Sequence, residues 1–111
     1  MEHYDFGEIV VDGRRYTHDP MIIGGRVNPS WWRKEGHKLT INDVEDILKE
    51  KPEVLVVGTG YSGLMRVQPE VVEQLKKGGT EIIIDRTERA CKIFNEFSRS
   101  RKVAAALHLT C

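Results

Sequence analysis

The sequence predicts a single α/β domain of three layers: a mixed, mostly parallel sheet with helices, and a β-hairpin added at the N-terminus. Three observations carry this reading. After residue 40, apolar runs of strand length alternate with segments of helical period. The resulting order, strand–helix–strand–helix–strand, is that of right-handed crossovers and parallel strands. Near the start, Asp12-Gly13 separates two extended runs. Finally, 111 residues make one domain, 1–111, because each half of a two-domain chain would be near the size at which a core becomes marginal.

Each element has a local reason. Residues 6–11 and 14–18 flank Asp12-Gly13, a pair that tolerates the two positive φ angles of a type I′ hairpin turn. Met21-Ile22-Ile23 reads as a short strand ending at Gly24-Gly25. Residues 24–38 show neither period and read as a long loop, which in so small a domain is functional or packed on itself. Thr40 with Asp43 three residues on has the spacing of a capping box, and Ile41, Val44, Ile47 and Leu48 share a helical face, so a helix is expected over 41–50. Pro52 stops it. Val54-Leu55-Val56-Val57 is continuously apolar, as in a strand buried on both faces, and the strand is expected over 54–58. Pro69 suits the first turn of a helix over 69–77, with Val71, Val72 and Leu75 inward and Gly78-Gly79 at its end. A strand is expected over 81–85. Thr87 then caps a helix over 87–98 whose inward face is Ala90, Ile93, Phe94 and Phe97. The last strand, 103–109, carries three alanines that would let a helix approach closely.

Composition removes several function classes. Apolar residues are 40% and charged residues 31%, a globular core under a heavily charged surface. Seventeen basic side chains balance seventeen acidic ones, so no general field attracts nucleic acid or an acidic membrane. No apolar run reaches bilayer-spanning length. The first residues read as neither a secretory signal nor an Arg-rich transit peptide. Cys91 and Cys111 fit a reducing, cytoplasmic setting rather than a disulfide framework. No CxxC or HxxxH spacing is present, and no metal or cofactor is expected.

Two constellations could carry chemistry. Gly58-x-Gly60-x-x-Gly63 follows a buried strand, and Asp85 ends the next one. In a dinucleotide site such glycines admit a pyrophosphate and the acid binds a ribose hydroxyl. Here Pro69 delays the helix that should open within the glycines, and the chain is too short for a second mononucleotide half. A small-ligand or anion crevice at Gly58, Gly60, Gly63 and Asp85 is the form this reading keeps, with Gly60→Val expected to harm binding more than stability. The second constellation is Trp31, Trp32, Arg33 and His37. Tryptophan beside arginine is the composition of an interface hot spot, so a partner-binding loop is expected, with one tryptophan buried and the other partly exposed. At the C-terminus, His108 and Cys111 are three apart on an extended chain and face opposite ways, which argues against a nucleophile–base pair.

Several segments together resemble one family: Gly24-Gly25 followed by Trp31-Trp32-Arg33, Val57-Gly58-x-Gly60, Leu75-Lys76-Lys77-x-Gly79, Thr87-x-x-Ala90 with Asn95, and His108-x-Thr110-Cys111. Their order and spacing are similar to those of the small α/β domain family of unknown function that includes the adipogenesis-associated domain protein and a mitochondrial respiratory complex I assembly factor. The resemblance covers residues 6–111. It implies a three-layer domain on a mixed sheet, no known catalytic set, and roles in assembly or regulation through protein partners. The expected function is therefore a non-enzymatic interaction or assembly module, with self-association among its possible contacts. The alternative is a ligand-binding or enzymatic domain using the glycine crevice.

Overall fold

The computed structural model describes residues 1–31, 33 and 36–111. The chain opens with a three-stranded antiparallel meander, β1 (His3–Asp5), β2 (Glu8–Val11) and β3 (Arg14–Tyr16). The β2–β3 turn is Asp12-Gly13, with φ of 50° and 79°, as type I′ geometry demands. This meander is a sheet of its own and does not extend the main one. Its inward residues Ile9 and Val11 instead pack in one cluster with Ala90 and Cys91 of the last helix.

Residues 24–38 are more regular than their composition suggests. β4 (Met21–Ile23) turns back at Gly24-Gly25 into β5 (Arg26–Asn28), pairing Ile22 with Val27. The glycine φ angles of 57° and 76° make this a second type I′ hairpin. β6 (Lys38–Leu39) follows. The helix expected over 41–50 is divided: Ile41–Val44 is a 3₁₀ turn and α1 (Glu45–Glu50) begins after it. At its start the Asp43 carboxylate accepts the Thr40 N–H at 2.8 Å and its hydroxyl at 2.9 Å.

β7 (Val54–Gly58), β8 (Arg66–Val67), α2 (Pro69–Lys77), β9 (Glu81–Asp85), α3 (Thr87–Phe97) and β10 (Val103–Leu107) complete the chain. The main sheet has the order β5-β4-β10-β7-β9. β10, β7 and β9 are parallel, whereas β4 and β5 join as an antiparallel edge. β7 is buried at every residue. Its Leu55 and Val57 face Ile47, Val71 and Leu75 of α1 and α2, and its Val54 and Val56 face Ala90 and Cys91 of α3. These are the three layers, and the alternation follows from the two-residue period of a strand. β10 stops at Leu107, two residues short of the expected end: His108 N–H still reaches Gly58 O at the end of β7, but Leu109 bonds to the Asp19 side chain and to Gly7. Thr87 is the first helical residue of α3, not its cap, and is wholly buried; Arg86 holds the cap position.

Candidate functional site

The regions singled out in the sequence meet at the C-terminal segment, residues 108–111. That segment is held along its length. His108 N–H donates to Gly58 O at 2.9 Å, and the Thr87 hydroxyl donates to His108 O. Leu109 N–H donates to Asp19 Oδ1 at 2.8 Å. Leu109 O accepts from Gly7 N–H and from the Tyr4 hydroxyl, each at 2.9 Å. Tyr61 N–H donates to Thr110 O at 2.7 Å and Leu64 N–H to Cys111 O at 3.0 Å. A buried backbone must find partners somewhere. Here they come from the meander, from Asp19, from the glycine turn and from the start of α3. Burial, with the Cys91 thiol and Tyr61 phenol adding to it, pushes the Tyr4 hydroxyl up to about 12, so it stays protonated and donating.

The glycines are spacers for this closure. A Cβ at Gly58 would lie 2.7 Å from the Thr87 hydroxyl oxygen and 2.9 Å from Leu107 Cδ2. At Gly60 it would stand 2.3 Å from the Cys111 carbonyl carbon, and the φ of +110° suits glycine alone. The Gly60 N–H in turn donates to the Thr87 hydroxyl at 2.9 Å. Gly60→Val would therefore cost stability heavily, because its Cβ would meet main chain. Gly63, at φ +77°, sits beside Arg86. Asp85 closes β9, accepts the Arg86 N–H and pairs with Arg89 at 3.2 Å. It borders a cavity of about 700 Å³ along the α3 flank with Arg86, Arg89 and Lys92; the three glycines are not among that cavity's walls.

The tryptophan loop reaches the same segment from the other side. Trp31 is buried in the core, its indole N–H donating to Asp43 O at 3.0 Å, so it offers little surface to a partner. Trp32 lies outside the described residues. The Arg33 guanidinium stacks 4.8 Å from the Trp31 ring and is 5% exposed. Its Nη2 donates to Gly36 O at 2.8 Å. Its Nη1 lies 2.7 Å from Asp19 Oδ2, a close ion pair without an aligned hydrogen bond. The same Asp19 oxygen is 2.7 Å from His108 Nδ1. Arg33 Nη2 also lies 2.9 Å from His108 Nδ1, so one ring nitrogen stands between a carboxylate that only accepts and a guanidinium that only donates. The Asp19 carboxyl is pushed up by burial but pulled further down by His108, the Leu109 N–H and Arg33, and it lies below the usual carboxylate range. His37 is exposed and packs edge-on to His108 with centroids 5.6 Å apart. Asp19, the centre of this cluster, was not singled out in the sequence. It is 89 positions from His108, and no local pattern marks it.

Over the clasp lies a feature the sequence reading also missed. Phe6, Tyr61 and Leu64 are 55%, 50% and 53% exposed. Phe6 and Tyr61 meet edge to face with centroids 5.7 Å apart, and Tyr4 lies 6.4 Å from Tyr61. Tyr61 and Leu64 each donate their own N–H to the C-terminal segment, and Gly7, next to Phe6, does the same. The available signal was two large apolar residues set among glycines, where polar turn residues are usual. Among the described residues, no group of three or more His, Cys, Asp and Glu could hold a metal ion, and no helix is long and apolar enough to cross a membrane.

Comparison with known proteins fits this architecture. A family model described as a protein of unknown function (DUF498/DUF598) matches residues 1–108. A conserved hypothetical protein of Pyrococcus horikoshii OT3 superposes with a TM-score of 0.84 at 30% identity, covering 99% of this chain and 98% of that one. A Bordetella parapertussis protein gives 0.78 at 28% identity, covering 96% and 91%. In sequence, 60 residues are 42% identical to the zebrafish (Danio rerio) NADH dehydrogenase [ubiquinone] 1 alpha subcomplex assembly factor 3. That match spans 54% of this chain and 34% of the zebrafish protein.

Proposed function

From the premise that the chain belongs to the DUF498/DUF598 family of proteins of unknown function, we propose that it is a non-enzymatic assembly module that docks a protein partner. The observation that carries the reading is the Phe6–Tyr61–Leu64 patch: large apolar side chains half exposed, on backbone already fixed to the C-terminal segment. Exposed aromatics on an ordered frame bind without the cost of ordering a loop, which is what a hot spot needs. The similar zebrafish protein is an assembly factor by name, and an assembly role here agrees with that. The tryptophan loop joins the contact through the exposed His37, next to the Gly36 carbonyl that the buried Arg33 holds. A cytoplasmic location belongs to the same proposal and accords with two free thiols.

The test is a paired capture from cells of the source organism, comparing the parent chain with Phe6→Ser/Tyr61→Ser/Leu64→Ser. Because these side chains are exposed, the variant should melt like the parent and lose a partner that the parent retains in stoichiometric amount. The same partner held equally by both would sink the proposal.

The small-ligand reading has one supporting observation, the charged cavity beside Asp85. A thermal-shift screen with nucleotides and inorganic phosphate tests it. A saturable rise of the melting temperature, lost in Arg89→Ala, would favour it over docking.

A further inference from the structure

The two edges of the main sheet are treated differently. β5 is three residues long, carries exposed Arg26 and Asn28, and runs into Pro29, all of which discourage another strand from pairing with it. β9 is Glu-Ile-Ile-Ile-Asp, five residues with three consecutive isoleucines, and Ile84 is 44% exposed.

Its hydrogen bonds show which groups are free. Glu81 N–H donates to Glu53 O at 2.9 Å, and Asp85 O accepts from Thr59 N–H at 2.9 Å. In a parallel pair alternate residues turn both backbone groups toward the same neighbour. Glu81, Ile83 and Asp85 therefore face β7, and the N–H and C=O of Ile82 and Ile84 face outward. Among the described residues nothing pairs with them.

We infer that the β9 edge pairs antiparallel with β9 of a second copy of this chain, joining two five-stranded sheets into one. A two-fold axis at Ile83 sets Ile82 opposite Ile84 of the second copy, and Ile84 opposite its Ile82. Both are hydrogen-bonded pairs, so four backbone bonds form with no change in the bonds to β7. Ile84 covers its exposed face against the opposing Ile82, a cross-strand contact between β-branched side chains. Glu81 falls opposite the second Asp85. Bare acids there would repel, but Arg101 already stands 3.6 Å from Glu81 and Arg89 3.2 Å from Asp85. Each end of the paired strands then holds two carboxylates and two guanidiniums, a balanced set that a second copy supplies by symmetry. The interface is small, below about 1,200 Å² for a strand pair of this length, and the dimer is correspondingly weak and concentration-dependent. This surface is distinct from the Phe6–Tyr61–Leu64 patch.

The experiment is sedimentation equilibrium of the whole chain from about 10 μM to about 1 mM, a range that brackets weak association. It is run beside Ile84→Pro and Ile84→Lys. Proline removes an outward donor only and is tolerated on an edge, so β7 pairing survives. Lysine keeps the backbone and sets a charge against the opposing Ile82, which serves if the proline variant folds poorly. The expected result is a weight-average mass rising toward two copies for the parent and staying at one for the folded variants. Amide exchange at Ile82 and Ile84 should slow with concentration in the parent alone. A parent monomeric throughout the range would overturn the inference. So would a dimer that survives Ile84→Lys, which would place the contact elsewhere. Either failure leaves the docking proposal intact, since its variants lie on other residues.

Discussion

Replacing Thr87 by valine removes one oxygen and almost no volume, yet it should loosen the whole clasp. Thr87 is fully buried, accepts the Gly60 N–H at 2.9 Å and donates to His108 O. Valine leaves that donor and that acceptor facing each other across a methyl group. A buried group left unsatisfied costs about 1–3 kcal/mol, so the pair costs about 2–4 kcal/mol after partial relaxation. Serine keeps both bonds and loses only a methyl, about 1 kcal/mol. At roughly 4 °C per kcal/mol for a domain of this size, valine should lower the melting temperature by about 8–16 °C and serine by about 4 °C. Urea titration followed by tryptophan fluorescence separates them, with the midpoint moving and the slope constant. Valine matching serine within error would refute the hydroxyl as the junction between glycine turn, helix and C-terminal segment.

Gly60→Ala should cost at least about 3 kcal/mol in the same titration, from the positive φ and the collision with the Cys111 main chain; a loss under about 1 kcal/mol would contradict the packing. The folded-state Asp19 carboxyl is depressed, so its contribution is present above the ordinary value of 3.8 and is lost as pH falls through the lower folded value. Denaturation midpoints measured at neutral pH and below pH 3.8 should therefore show a larger acid loss in the parent than in Asp19→Asn. Burial pushes the Cys91 thiol up to about 12, while Cys111 is partly exposed. A disulfide reagent at pH about 8 should modify Cys111 promptly and Cys91 only on unfolding.

The legible part of this fold is the part where one physical demand governs a run of residues. Val54–Val57 had to be an interior strand because no other element buries four consecutive apolar side chains on two faces, and Asp12-Gly13 had to turn because few pairs tolerate two positive φ angles. Gly24-Gly25 carries the same turn signal, but Arg26-Val27-Asn28 holds one apolar residue and is too short for its alternation to mark a strand. It pairs because β4 is already in place. The meander read as an addition to the sheet; its register is local, but its packing against α3 is not. The site was half legible. Spaced glycines and a Trp-Trp-Arg run stood out as composition, and the structure brings both to residues 108–111. Of their common partners, Asp19 did not stand out and Thr87 stood out only as a helix cap and in the family resemblance. Asp19 and Thr87 act through tertiary contacts at long sequence separation, and the exposure of Phe6, Tyr61 and Leu64 is a property of the assembled surface.

Docking by the ordered apolar patch is directly measurable. The direct measurement is calorimetric titration of the captured partner with the parent and with Tyr61→Ser, at matched melting temperatures. Removing a hot-spot aromatic costs about 2 kcal/mol or more, so the variant's Kd should be at least roughly 30-fold weaker. Equal affinities would show that the partner docks elsewhere.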